Sequence, residues 1–178
     1  MVTQQKVAII MGSKSDREKV QPAIDVLEGL GIPYSVNIYS AHRTPKELEE
    51  FIKAVDEDYQ YEAIIAAAGM SAALPGVIAA YTIKPVIGLP LKGSSLDGKD
   101  ALYSMVQMPP GIPVATVGIN AAKNAALQAA SIIALHDASV RKALLDFRAK
   151  QKADVLAAND EFQMDMAQLS IEDVMETK

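Results

Sequence analysis

The sequence has no cysteine and no tryptophan, and only 5% of its residues are aromatic. Without cysteine, a disulfide framework and a thiolate metal site are both excluded, which fits the cytosol. No apolar run reaches the roughly 18 residues of a membrane-spanning helix before charge, glycine or proline interrupts it. The N-terminal stretch MVTQQKVAIIM lacks the basic region and long apolar run of a signal peptide. We therefore expect a cytoplasmic protein with no membrane partner.

Positive charge is also scarce. The chain has 17 Lys and Arg against 22 Asp and Glu, a net charge of −5, and no basic stripe. Non-specific nucleic-acid binding draws its affinity from the neutralisation of phosphates, so we expect no nucleic-acid partner. An anionic small substrate would need local cationic side chains and backbone amides instead.

The composition that remains is that of a globular protein, with 50% hydrophobic and 22% charged residues. A chain of 178 residues has the length of one domain. We predict a single domain with a core over about 5–157 and a C-terminal arm over about 158–178. The acidic arm is either a solvated tail or a segment that packs on a neighbouring subunit. The helical spacing of Phe162, Met166 and Leu169 keeps the second alternative open.

Short apolar runs alternate with longer amphipathic segments along the chain. Such a pattern predicts a parallel sheet covered by helices on both faces, a three-layer αβα sandwich of the flavodoxin or Rossmann kind. We expect about five strands and a further C-terminal helix. The predicted strands are 6–11, 34–39, 62–67, 85–90 and 113–118. The predicted helices are 16–30, 44–57, 71–82, 98–107, 120–136 and 138–157 or beyond.

Ligands of open α/β sheets bind beyond the carboxyl ends of the strands, which points here to loops 12–16, 40–45, 68–76 and 91–93. The first loop, GSKSD, opens a helix, so its amides and the helix dipole favour an anion. It matches neither the dinucleotide fingerprint nor the P-loop. Ser15 or Asp16 is also expected to cap this helix.

The second loop, SAHRTP, groups Ser40, His42 and Arg43 between a strand end and a helix start. Arginine binds phosphate in a forked geometry, and histidine transfers protons near neutral pH. A single histidine is more often structural, but this position beside Arg43 favours a functional role. Thr44 is predicted to be the N-cap of the next helix, with Pro45 in its first turn.

The third loop, AAAGMSAALPG, consists mostly of small residues. Small residues allow a backbone to approach a flat ligand closely, and they equally suit tight packing of a helix on a sheet. The other histidine, His136, is expected near the C-terminus of a helix, where it complements the helix dipole.

At these loops the chain resembles the PurE family in its bacterial mutase type. The matching motifs are IIMGSKSD (9–16), SAHRTP (40–45), ALPGVIAA (73–80) and SLDGKDALYSMVQMPPGIPVATV (95–117). The resemblance extends over roughly residues 5–150 and implies an isomerase of purine (IMP) biosynthesis. That enzyme converts N5-carboxyaminoimidazole ribonucleotide to 4-carboxy-5-aminoimidazole ribonucleotide, uses no cofactor and forms a homo-octamer.

The resemblance also implies a set of site residues. His42 is the expected catalytic acid–base group, Ser13 and Arg43 suit the substrate phosphate, and Asp16 suits the ribose hydroxyls. The remaining expected substrate-binding residues are Ser40, Gly69, Ser71 and Leu74.

One position departs from the family pattern. The third loop of the family usually reads GGAAHLPG, whereas this chain reads GMSAALPG, with Ala73 in the place of a second histidine. Met70 and Ser71 stand where Gly and Ala are common. Three explanations remain open: the second histidine is dispensable, this chain is slower, or another group substitutes for it.

The implied reaction moves a carboxylate from an exocyclic nitrogen to ring carbon C4, while one proton moves the other way. We hypothesise that His42 protonates the nitrogen as carbon dioxide leaves and then removes the C4 proton after recarboxylation. Trapping carbon dioxide requires a pocket with little water, for which the third loop and residues 92–107 are the expected walls. Neither a metal nor a redox cofactor is required.

Three other functions compete with this one. Direct carboxylation of the aminoimidazole ribonucleotide by carbon dioxide is the alternative within the family. A flavodoxin-like carrier is disfavoured by the scarcity of aromatic residues. A receiver-type signalling module would need an Asp at the end of the third strand, where the sequence has only alanines over 66–68.

Overall fold

The computed structural model describes residues 6–93 and 96–176, apart from the side chains of 167 and 169–176. The side chain of Leu169, part of the predicted apolar spacing in the arm, lies outside this description. The chain divides into two compact units, Met1–Arg141 and Lys142–Lys178. The predicted boundary between core and arm at about 157 stays a prediction. No described helix is long and apolar enough to cross a membrane.

Five parallel strands form one sheet in the order β2-β1-β3-β4-β5, which confirms the predicted fold class. The last strand is shorter than predicted, with only two residues paired to β4. Pro113 has no backbone N–H to donate to a neighbouring strand. The strands are β1 (Val7–Met11), β2 (Tyr34–Ile38), β3 (Ala63–Gly69), β4 (Val86–Leu91) and β5 (Ala115–Thr116).

All six predicted helices are present. The third helix is shorter than predicted, because Ser71–Ala73 belong to the loop before it. The sixth was predicted to reach residue 157 or beyond, and it continues to Glu176. The helices are α1 (Arg17–Gly29), α2 (Pro45–Glu57), α3 (Leu74–Ala79), α4 (Lys99–Val106), α5 (Ala122–Ile133) and α6 (Ala138–Glu176), and a short 3-10 helix (Lys14–Asp16) precedes α1.

The sheet is covered on both faces. Every residue of β1 and β4 is buried, as expected for apolar strands in the middle of an α/β sheet. Helices α2, α3 and α4 share one apolar cluster with alternate residues of the strands, among them Ile10 and Ile64. Helix α1 packs against α5, and α5 packs on β3 and β4 with residues outside that cluster. The carboxyl ends of the strands are left open between these layers.

His136 corrects one expectation. Helix α5 ends at Ile133, so His136 lies in the turn after the helix, and its Nε2 atom is 2.5 Å from Oε2 of Glu62. Lys6 joins the same group, 2.6 Å from Asp137 and 3.4 Å from Glu62. The hydrogen bond from Lys6 lowers the pKa of Asp137, and the same bond raises the pKa of Lys6. This group joins the residues just before β1 and β3 to the turn after α5, so His136 is a structural residue at the amino edge of the sheet.

Candidate active site

One cavity of about 650 Å³ lies at the carboxyl edge of the sheet, where the loops after β1, β2, β3 and β4 meet. In the strand order found here, the chain direction across the sheet reverses between β1 and β3, and such a reversal is the usual binding site of this fold. All eight residues expected from the sequence line this one cavity, although they come from three separate loops. They are Ser13, Asp16, Ser40, His42, Arg43, Gly69, Ser71 and Leu74.

The loop after β1 is capped differently from the expectation. The predicted caps were Ser15 or Asp16, but Ser13 is the residue whose hydroxyl accepts the backbone N–H of Ser15 at 3.3 Å. The Ser15 hydroxyl donates to the same oxygen at 2.9 Å. Asp16 makes no side-chain capping bond. Its carboxylate is therefore not committed to the helix start, and it lines the cavity.

Partial burial shapes the electrostatics of Asp16. Burial raises the pKa of its carboxyl above the ordinary value, while the nearby charge of Lys19 and a backbone hydrogen bond from Ser13 act in the opposite direction. Carboxylate oxygens accept hydrogen bonds from hydroxyl groups. The arrangement suits a ligand that offers hydroxyls, such as a ribose.

The loop after β2 is a tight turn held by its own hydrogen bonds. The backbone N–H of Ser40 donates to the Thr44 hydroxyl at 2.9 Å, and that hydroxyl donates to the Ser40 carbonyl at 3.2 Å. Thr44 is the N-cap residue by position, but it makes no side-chain capping bond to α2, contrary to the expectation. The backbone N–H of Arg43 donates to the Ser40 hydroxyl at 3.2 Å. These bonds hold the backbone on both sides of His42.

The side chains of His42 and Arg43 are exposed at the cavity. Within residues 6–93 and 96–176, neither the imidazole nor the guanidinium has a hydrogen-bond or ion-pair partner. An acid–base group and a cation that bind no protein group remain available to a ligand. His42, Arg43 and Ser13 all line the same cavity.

The loop after β3 brings the backbone close to the cavity. A Cβ atom at Gly69 would lie 3.3 Å from the carbonyl oxygen of Leu91. Met70 has a left-handed backbone with φ of 57°, and the Ala72 N–H donates to its carbonyl at 2.9 Å. Ala73 lines the cavity just before α3, so the position of the missing histidine faces the site. Glycine would adopt the positive φ of position 70 without the steric cost that methionine has there.

Replacement of Met70 by glycine is expected to stabilise the fold by up to about 1 kcal/mol. Left-handed backbone costs a non-glycine residue about 1–2 kcal/mol, part of which is offset by the larger entropy of glycine in the unfolded chain. Met70 is 68% exposed, so little packing is lost. Urea unfolding would measure the change, with Met70→Ala as the matched control because it retains the Cβ atom. An equal effect of both variants would contradict backbone strain as the cause.

Sequence reasoning missed Lys19, which also lines the cavity, and it included Lys92 only as part of the predicted loop 91–93 and wall 92–107. The Lys19 ammonium donates to the Lys92 carbonyl at 2.8 Å, and the Asn120 side chain accepts the Lys92 N–H at 2.9 Å. Lys19 follows Asp16 by three residues on a helix, a spacing that could have placed it on the same face. Lys92 and Asn120 have no such signal, because they meet only through the fold.

The wall formed by residues 92–107 is smaller than predicted. Lys92 and Gly93 are its only described residues that line the cavity, because Ala101 and Met105 of α4 are buried in the apolar cluster under the sheet. In the described parts of the chain, no group of three or more His, Asp or Glu side chains is arranged to hold a metal ion.

Comparison with known proteins identifies the family of this fold and site. Residues 6–154 match the family model described as AIR carboxylase. The chain belongs to the AIR carboxylase family. The predicted resemblance to the PurE family is thereby confirmed, and it includes all four loops of the cavity.

Two relatives in the AIR carboxylase family are named N5-carboxyaminoimidazole ribonucleotide mutase. The protein from Methanocaldococcus jannaschii is 47% identical over 154 residues, which are 86% of this chain and 95% of the relative. The protein from Escherichia coli K12 is 48% identical over 157 residues, 87% of this chain and 92% of the relative. The crystal structure of Treponema denticola PurE superposes with a TM-score of 0.82 at 30% identity, covering 88% of this chain and 98% of that one.

Proposed function

We propose that this chain is an N5-carboxyaminoimidazole ribonucleotide mutase of purine biosynthesis. It converts N5-carboxyaminoimidazole ribonucleotide to 4-carboxy-5-aminoimidazole ribonucleotide. The observation that carries this proposal is the identity of 47–48% to proteins of that name over more than nine-tenths of their length. The names of these relatives favour the mutase over direct carboxylation, and nothing in them favours a flavodoxin-like carrier.

The substrate is an anionic ribonucleotide, and its phosphate, ribose and ring lie at the loops after β1, β2 and β3. The phosphate lies against Arg43 and the loop of Ser13, where a guanidinium and hydroxyl groups meet beside a helix start. The ribose hydroxyls donate to Asp16. The aminoimidazole ring then lies between the loop of His42 and the loop after β3. Ser40, Gly69, Ser71 and Leu74 complete its surroundings.

His42 moves the single proton that the reaction requires. Its imidazolium donates a proton to the exocyclic nitrogen as the N–CO2 bond breaks, which releases carbon dioxide and the neutral amine. Carbon C4 of the ring attacks carbon dioxide, and the neutral imidazole removes the C4 proton. Nitrogen has gained one proton, C4 has lost one, and His42 has returned to its starting state. His42, on the loop after β2, is the one acid–base residue that this sequence of steps uses.

Retention of carbon dioxide needs a better-closed site than one chain provides, because His42 and Arg43 are exposed to solvent. We propose that the enzyme is a cytoplasmic homo-octamer in which a neighbouring subunit covers the open side of the cavity. Carbon dioxide is then a trapped intermediate, and the chain works without a metal or redox cofactor.

Isotope labelling distinguishes the mutase from the carboxylase. The substrate carries a 13C-labelled carboxylate, and unlabelled bicarbonate is present in excess. A mutase delivers product that retains most of the label, because carbon dioxide is recaptured before it exchanges with the solvent. Product formed only from the aminoimidazole ribonucleotide and bicarbonate would identify direct carboxylation instead. The same mixture without enzyme controls for spontaneous decarboxylation.

A further inference from the structure

Helix α6 exposes apolar side chains along its middle part, residues 148–166. Every described side chain from 148 to 166 is exposed, including Val155 at 69% and Phe162 at 59%. These two residues are seven positions apart, which places them on the same face of the helix. A helix with no packed face is marginal in water, since most helical stability in proteins comes from tertiary packing. The face therefore needs a partner.

Basic and acidic side chains occupy separate segments of the same helix. Residues 142–153 have four cationic side chains and one carboxylate, whereas 154–166 have four carboxylates and no cation. Lys142 already pairs with Asp146 at 2.5 Å. Elsewhere in 142–166, none of these charged side chains has an ion-pair partner among the described residues. The first half of this segment thus retains three unpaired cations and the second half four unpaired carboxylates.

The acidic half lies beyond the part of the chain that matches the family model. The family match ends at residue 154, and the helix continues to Glu176. A helix dipole favours acidic residues at the N-terminal end and basic residues at the C-terminal end. In α6 the basic residues come first and the acidic residues follow, which is the opposite order. A second α6 packed antiparallel would place its basic residues against the acidic residues of the first. The dipoles of the two helices would then also point in opposite directions.

We propose that α6 pairs antiparallel with α6 of a second copy of this chain, burying the face that contains Val155 and Phe162. A two-fold contact is self-complementary, so one surface satisfies both partners. Pairing of Arg148 with Asp160, and of Lys152 with Asp154, across the contact places the two-fold axis close to residues 153 and 154. The basic half of each helix then lies along the acidic half of the other.

The absence of cysteine makes this register testable with single thiols in the full chain. Val155→Cys puts two thiols near the two-fold axis, about 5 Å apart along the helix axes. Phe162→Cys, two turns further on the same face, puts them about 25 Å apart. Under mild oxidation we expect disulfide-linked dimers from Val155→Cys and none from Phe162→Cys. A mixture of Leu145→Cys and Phe162→Cys chains is expected to form the mixed dimer.

Charge reversal tests the cause of the pairing. In the Val155→Cys chain, Arg148→Glu with Lys152→Glu places like charges opposite Asp160 and Asp154, and it is expected to slow cross-linking by about tenfold or more. Adding Asp154→Lys with Asp160→Lys restores both charge pairs and is expected to restore the rate. Circular dichroism checks that each variant retains its helix. Equal cross-linking of Phe162→Cys and Val155→Cys would overturn the proposal in favour of a parallel pair. No cross-linking of either variant would overturn it altogether.

Discussion

The His42→Asn variant is expected to lose turnover by a factor of about 10²–10⁴, the usual contribution of a positioned acid–base group. Asparagine is similar in size and polarity, but it cannot take up and release a proton near neutral pH. The exposed imidazole has no hydrogen-bond partner among the described residues, so its replacement removes no structural contact. Steady-state rates with the N-carboxylated substrate would measure the loss, and calorimetric titration should show that substrate binding is largely retained.

His136, the other histidine of this chain, supplies the matched control. His136 lies beside Glu62 and is not among the residues that line the cavity. We expect His136→Asn to leave turnover unchanged, although it removes a contact at the amino edge of the sheet. Turnover of His42→Asn comparable to that of the unmodified chain would remove this residue from the mechanism. An equal loss in both variants would point to an effect on the fold.

Replacement of Arg43 by methionine is expected to raise KM by about 10–100-fold with a smaller change in kcat. A hydrogen bond to a charged group contributes about 1.5–3 kcal/mol, and each 1.4 kcal/mol is a factor of ten. Because the phosphate is remote from the reacting atoms, its interaction with Arg43 stabilises the bound substrate and the transition state equally. Arg43→Lys should recover only part of the affinity, since lysine cannot donate a parallel pair of hydrogen bonds.

Lys46 provides the control for net charge. It is an exposed cation three residues further along the chain, in the first turn of α2, and it does not line the cavity. Lys46→Met removes the same charge, so it should alter KM by less than about twofold if the Arg43 effect is a direct contact. Similar changes in the two variants would indicate general electrostatic attraction of the anionic substrate. A loss in kcat alone for Arg43→Met would contradict the phosphate assignment.

Ala73 affects how many histidines line the cavity. The residue faces the cavity at the position where the family commonly has a histidine. Within this cavity His42 is the one histidine among the described lining residues, so the proposed proton transfer depends on it alone.

The layers of the fold and the four loops of the site follow from local patterns in the sequence. The apolar runs of β1, β3 and β4 are too short for helices and are bounded by turn residues, so strand type and position follow from local pattern alone. Parallel strands bring their carboxyl ends to one edge. Residues as far apart as Ser13 and Leu74 could therefore be assigned to one cavity before any distance was known.

Contacts between segments that are distant in sequence could be learned only from the folded chain. Lys19, Lys92 and Asn120 meet because α1 and the loops after β4 and β5 converge, and no spacing in the sequence encodes that meeting. The position of His136 beside Glu62 has the same cause. The positive φ of Met70 reflects the path of the loop rather than a preference of methionine. Local pattern reports which residues are buried, whereas the partners of polar side chains follow from three-dimensional proximity.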